Sequence, residues 1–234
     1  MIDRASIFDI LRKGLEATKK NANTVVPLYV GIQAVIFVLS YTISSIMNLL
    51  MIPVILFMQI SLLKSYKSPI TKFDPNVILD LKDSSLKPTL WKLFTTYAIY
   101  TVLLTLLFLP SIFVFVLFYR QTYFNPLLLL SLPLAIPGII FMIYWYVFSF
   151  IVLDQGISGM AVLKKNRQMV KGRFWETFAL LAIWAVLCVI SSSVITAVTA
   201  GNQFFAGIFM AVVSGLITVY FGYVGVAYYL HLKK

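Results

Sequence analysis

Residues 25–63 run for 39 positions without a charged side chain. At about 1.5 Å of rise per residue, one helix of that length would cross nearly two bilayer cores of about 30 Å. The run is therefore expected to fold back on itself. The polar cluster Ser40, Thr42, Ser44, Ser45 and Asn48 marks the bend, which predicts spans near 25–43 and 46–63. Four more apolar stretches follow at about 93–118, 126–153, 177–197 and 204–230. The pattern predicts an all-α polytopic membrane protein, with six transmembrane helices in a single integral membrane domain over residues 1–234.

The polar segments between the spans have helical periodicity of their own. Residues 1–24 open with Ser6 and Asp9 in the spacing of a capping box. Phe8, Leu11, Leu15 and Thr18 then recur at three and four, with Arg12, Lys13, Glu16, Lys19 and Lys20 mainly elsewhere on the wheel. This predicts an interfacial helix with a basic polar face. Asp74-Pro75 has the form of an N-cap with proline at the first helical position, ahead of Val77, Ile78 and Leu81. Residues 157–172 form a third such segment, apolar at Met160, Leu163 and Val170 and basic at Lys164, Lys165, Arg167 and Lys171.

An internal repeat links two of these segments to the spans that follow. Leu90-Trp91-Lys92-Leu93-Phe94 leads to Ala98-Ile99-Tyr100, and Phe174-Trp175-Glu176-Thr177-Phe178 leads to Ala182-Ile183-Trp184, at a constant offset of 84. Val102-Leu103 matches Val186-Leu187, and Lys87 matches Lys171, at the same offset. The expected unit is an interfacial helix followed by a membrane hairpin, three times over. Such repetition is common among transporters and also arises by plain duplication.

Composition sharpens the class. Apolar residues make up 61% of the chain and charged residues 12%, against about 45–50% and 25% in a soluble domain. The formal charge of +11 would suggest a nucleic-acid partner in a soluble protein, but its distribution points elsewhere. Eighteen of the 19 basic residues fall in residues 1–24, 64–92, 154–173 and the C-terminal tail, leaving Arg120 alone on the other side. By the positive-inside rule both termini are cytoplasmic. The expectation is a multi-pass protein of the cell membrane that binds no nucleic acid, with the first span retained as an anchor.

Candidate chemistry is sparse. No Asp, Glu, Lys, Arg or His lies deep in a predicted span, which disfavours a proton-coupled transporter. Cys188 and His231 are single representatives of their types, so no metal site, cofactor or catalytic base is expected, and the chain reads as a non-enzyme. Gln33, Asn48, Gln59, Asn202 and Gln203 are the polar groups within apolar stretches, suited to hydrogen bonds between helices or to span ends. Prolines interrupt several spans, the fourth most heavily. Pro133, Pro137 and Gly138 are the candidate hinge, read either as a packing kink or as a gate. Pro137-Gly138 is expected to end an outer half-helix. The aromatic run after it, Tyr144, Trp145, Tyr146 and Phe148, is a candidate apolar groove or ordinary core. Lys164, Lys165, Arg167, Lys171 and Arg173 are candidate contacts to anionic lipid, or charges that only set topology.

Ala135-Ile136-Pro137-Gly138-Ile139-Ile140, the aromatic run, and Ala161-Val162-Leu163 continuing through Val170-Lys171-Gly172-Arg173-Phe174-Trp175 together resemble a broad superfamily of six-span bacterial and archaeal membrane proteins. It includes the YciC-like proteins and the membrane domain attached to some glycerophosphoryl diester phosphodiesterases. The shared pattern is a "PGI" in the fourth span and an "AL..S...VKG.FW" helix before the fifth. Its serine is Asn166 here. The phosphodiesterase catalytic domain has no counterpart in this chain, and its activity is not carried over. The resemblance implies a membrane or lipid-associated role. Two functions are expected from these features. One is a non-enzymatic protein that binds or helps to move a lipid or amphipathic molecule, as an accessory to a transporter. The other is an immunity or scaffold protein acting against a membrane-active peptide or within a membrane complex. Membrane lipids and a membrane-protein partner are the expected interactors.

Overall fold

The computed structural model describes residues 7–42, 47–67, 86–119, 129–199 and 202–233. Among the described residues the chain is helical throughout, without strands. The helices are α1 (Ile7–Lys20), α2 (Val25–Thr42), α3 (Met47–Lys67), α4 (Leu86–Tyr119), α5 (Ser131–Tyr144), α6 (Phe148–Gln155), α7 (Met160–Val170), α8 (Phe174–Val198) and α9 (Gln203–Leu232). Four helical stretches are long and apolar enough to cross a membrane: Lys87–Leu117, Ser131–Gln155, Phe174–Val198 and Phe204–Leu232. They correspond to the third to sixth predicted spans. Helices α2 and α3 lie on the first two. The central part of the predicted bend, residues 43–46, lies outside the described residues, as do Ser6, the helix predicted at 74–81, and Arg120.

The chain divides into two compact units, residues 1–90 with 178–234, and residues 91–177. In the first, α9 packs against α1, α2 and α3. Its second half supplies the core: Val219, Tyr223, Val224, Val226, Tyr228 and Tyr229 are fully buried. Glycines allow the helices to approach closely. A Cβ on Gly14 would stand 2.4 Å from Val224 Cγ2, one on Gly222 would stand 2.3 Å from Leu62 Cδ1, and one on Gly215 would meet Gln33 and Val30. Small residues of this kind substitute backbone contact for the hydrophobic driving force that lipid removes. Helix α1 buries Ile10, Gly14 and Ala17, a narrow i, i+4, i+7 face. Tyr220 Oη donates to the Leu11 carbonyl at 3.3 Å and fixes the same contact.

The buried face of α1 is not its predicted stripe. Phe8 is 81% exposed and Leu15 is also exposed. The helix thus has two apolar aspects, a small-residue face turned to α9 and a bulky one left open.

In the second unit, α7 packs on α5 and α6. The turn that leads into α7 is held by the start of α4. Lys92 Nζ donates to the Gly156 carbonyl at 2.7 Å, and Gly159 N–H donates to Thr96 Oγ1 at 2.9 Å. Gly159, at φ 65° and ψ −144°, occupies a backbone region that side chains beyond glycine rarely enter.

The fourth predicted span breaks in a different place from the one expected. Helix α5 continues through Pro137-Gly138 and stops at Tyr144. The interruption falls at 145–147, before α6. Pro133 is the third residue of α5, where a backbone N–H would have no helical acceptor in any case. Pro137 forgoes one bond, which apolar surroundings tolerate when the rest of the helix is intact. The later break has tertiary causes. The Trp145 indole donates to the Leu163 carbonyl of α7. Phe148 N–H to the Trp145 carbonyl (3.3 Å) and Phe150 N–H to the Val147 carbonyl (3.1 Å) replace the regular four-residue bonds.

Several positions 84 residues apart have similar burial. Leu93 and Thr177 are fully buried, as are Thr96 and Leu180, whereas Trp91 is 66% and Trp175 75% exposed. Each tryptophan has a phenylalanine ring beside it, Phe94 at 5.7 Å and Phe174 at 5.4 Å between centroids.

Candidate functional site

The candidate hinge residues divide. Pro133 and Pro137 are exposed, and Gly138 is buried. The Phe108 ring of α4 occupies the place of a Gly138 side chain, with Cε2 2.5 Å from an ideal Cβ. Gly138 therefore serves close packing of α5 on α4. Ser111 Oγ donates to the Ser131 carbonyl at 2.8 Å and ties the same two helices one level away.

The candidate groove residues lie in contact with protein. Phe148 is buried, with Tyr97 and Tyr100 rings at 4.8 and 4.9 Å. Trp145 packs on Phe141 and reaches α7 through its indole N–H. Tyr144 meets Phe174 at 5.5 Å, and the Arg167 guanidinium lies 5.8 Å from its ring centroid, within cation–π range. Tyr146 is half-buried. The run thus joins α5, α6 and α7.

The candidate lipid-contact cations stand apart from that cluster. Lys164, Lys165, Arg167 and Lys171 are exposed and Arg173 is half-buried. The buried face of α7 is Val162, Leu163, Asn166 and Val170. Asn166 is fully buried, and neither its Oδ1 nor its Nδ2 has a hydrogen-bond partner. An unmatched buried amide is costly, about 1–3 kcal/mol per group.

The polar groups of the apolar stretches meet different fates. Gln33 Oε1 is buried against Gly215 without a hydrogen bond. Gln59 Oε1 is likewise buried. Asn202 is the N-cap of α9, its Oδ1 accepting from Phe205 N–H at 3.2 Å. The side chains of Asn48 and Gln203 lie outside those described.

Two features were not anticipated. The first is a polar seam inside the first unit. Ser61 Oγ donates to the Phe57 carbonyl at 3.1 Å, which leaves Tyr29 Oη to donate to Ser61 at 2.9 Å. Ser65 Oγ similarly donates to the Leu62 carbonyl, and Tyr223 Oη donates to Ser65 at 2.7 Å. The i, i+4 serines at the end of the charge-free run, Ser61 and Ser65 with Lys64 between them, were the available sign of it. The second is a cleft of about 250 Å³ between α1 and the end of α3. Lys13, Glu16, Lys20 and Lys67 form its rim, and the buried Asn21 and Ser65 its floor. Burial pushes the Tyr66 hydroxyl in its wall above the ordinary phenol range, and the Glu16 carboxylate adds to the shift.

Among the described residues no cluster of His, Cys, Asp and Glu could hold a metal ion. No protein-family model, curated protein or solved structure matches the chain.

Proposed function

We propose that the chain is a six-span protein of the cell membrane with both termini on the cytoplasmic side. In this reading it binds a lipid or other amphipathic molecule and helps to move it, without catalysing a reaction, as an accessory to a transporter. The observation that carries the reading is the distribution of burial along the apolar helices. Side chains near the basic segments are packed, as at Leu93, Ile151, Leu163 and Tyr229. Away from them, Leu106, Phe113, Val116, Ile136, Val189 and Phe209 are exposed. Apolar exposure on this scale marks a surface with an apolar neighbour, and for membrane-spanning helices that neighbour is lipid. The basic asymmetry supports the topology, the matched burial at an offset of 84 supports duplication, and the superfamily resemblance supports a lipid-associated role.

The test is native mass spectrometry of the full chain after exchange into a mild detergent. The expected spectrum contains discrete phospholipid adducts that survive exchange. A chain stripped of lipid that instead retains a membrane-protein partner would replace this reading with the scaffold one.

A further inference from the structure

We infer that the cleft between α1 and the end of α3 is a binding site for a phosphate-bearing anion, supplied by the headgroup of an anionic phospholipid. The lipid source rests on the function proposed above; the phosphate chemistry does not. Lys13 and Lys20 are seven residues apart on one face of α1, and Lys67 comes to the same rim from α3. Three ammonium groups from two helices thus border one cavity. Neither Lys13 nor Lys20 makes an ion pair or hydrogen bond among the described residues. The rim's one carboxylate, Glu16, lies 3.8 Å from Arg12, which in turn lies 3.6 Å from Asp9. Arg12 thus offsets part of the one negative charge in the lining among the described residues.

The floor is already organised. Asn21 Nδ2 donates to the Ala17 carbonyl at 2.9 Å, and Ser65 is held by Tyr223 at 2.7 Å. Binding therefore need not order the base of the cleft, which is the usual loss in affinity. A volume of about 250 Å³ equals about eight waters at about 30 Å³ each, room for a phosphodiester with its glycerol. The same helix leaves Phe8 and Leu15 exposed. On an interfacial helix such side chains seat in the membrane surface and hold the whole helix, with its lysines, at the depth of the headgroups. The cations of α7 differ: Lys164, Lys165 and Arg167 are exposed along an open face.

The experiment uses the full chain in phosphatidylcholine vesicles containing phosphatidylglycerol with a photoactivatable headgroup. Adducts are expected on residues 13–21 and 65–67, displaced by unlabelled phosphatidylglycerol. Replacing Lys13→Gln, Lys20→Gln and Lys67→Gln together should lower labelling at least about tenfold, since each lysine contributes to attraction of an anionic headgroup. Replacing Lys164→Gln, Lys165→Gln and Arg167→Gln together should leave cleft labelling unchanged. Displacement by inorganic phosphate at low concentration would uphold the site and assign it to soluble phosphate. Adducts confined to residues 160–173 would overturn the cleft while leaving lipid binding intact, and an absence of adducts together with loss of lipid in the native spectrum would overturn both. If the triple variant does not fold, the map of adducts on the unaltered chain decides alone.

Discussion

Helices α1 and α7 are written in the same pattern, basic residues around a narrow apolar stripe, and each buries one face against other helices of its own unit. Their surroundings differ in two ways. Helix α1 docks through small residues, and the polar groups at its end, Asn21 and Thr24, are buried with hydrogen bonds. Helix α7 docks through Val162, Leu163 and Val170 around Asn166, whose amide is buried with nothing to bond. Conversely, α1 has its lysines around a cleft shared with α3, whereas α7 spreads its cations on open surface. A basic amphipathic pattern therefore predicts where a helix lies and leaves open what its charges can hold. A second element must bring a charge to the same place.

The largest effect should come from breaking the dock of α1. Gly14→Val places methyl groups where Val224 already stands. Overpacking of this kind costs about 1–3 kcal/mol, and here the upper end is expected because the α9 backbone at Val224 is also within 3.1 Å. Thermal unfolding in detergent should fall accordingly, and protease should cut within residues 7–20 before the spans are lost. An unaltered melting temperature with α1 still protected would show that α1 docks elsewhere.

A smaller effect of opposite sign is expected on α7. Asn166→Leu keeps the number and branching of the side-chain heavy atoms and removes two unbonded polar atoms, so stability should rise by about 1–2 kcal/mol. A loss of stability would mean that the amide bonds to something in the membrane-embedded protein, such as an ordered water or a bound ligand. The smallest effect concerns Arg167, which is exposed above Tyr144. Arg167→Gln should cost only about 0.5 kcal/mol, as exposed cation–π contacts do, with little change in lipid labelling at the cleft.

Much of this architecture is legible in the chain because membrane helices announce themselves by length and charge. The spans at 93–118, 177–197 and 204–230 each fall within one described helix. The α1 and α7 segments are also legible, since their periodicity is local. Three things were not. The break at 145–147 depends on the Trp145 bond to Leu163, a contact between helices, whereas Pro137 is a local signal that the lattice of surrounding bonds absorbs. The docked side of α1 carries no hydrophobic signal, because hydrophobicity ranks leucine above glycine; close approach to Val224 selects Gly14, and Ile10 and Ala17 are buried on the same face. The cleft joins Lys13 and Lys20 to Lys67 across 47 residues, and no spacing rule connects them.

On the function proposed above, lipid covers the apolar side chains that the packed protein leaves exposed. Spin labels at Phe113→Cys and Val189→Cys in a Cys188→Ala background, with the full chain reconstituted in bilayers, test that cover. Both positions are exposed. Frequent collision with oxygen and rare collision with a water-soluble nickel chelate are expected at both, and the reverse at Lys13→Cys. Labels at 113 and 189 that are shielded from both reagents, or that meet the nickel chelate freely, would contradict it.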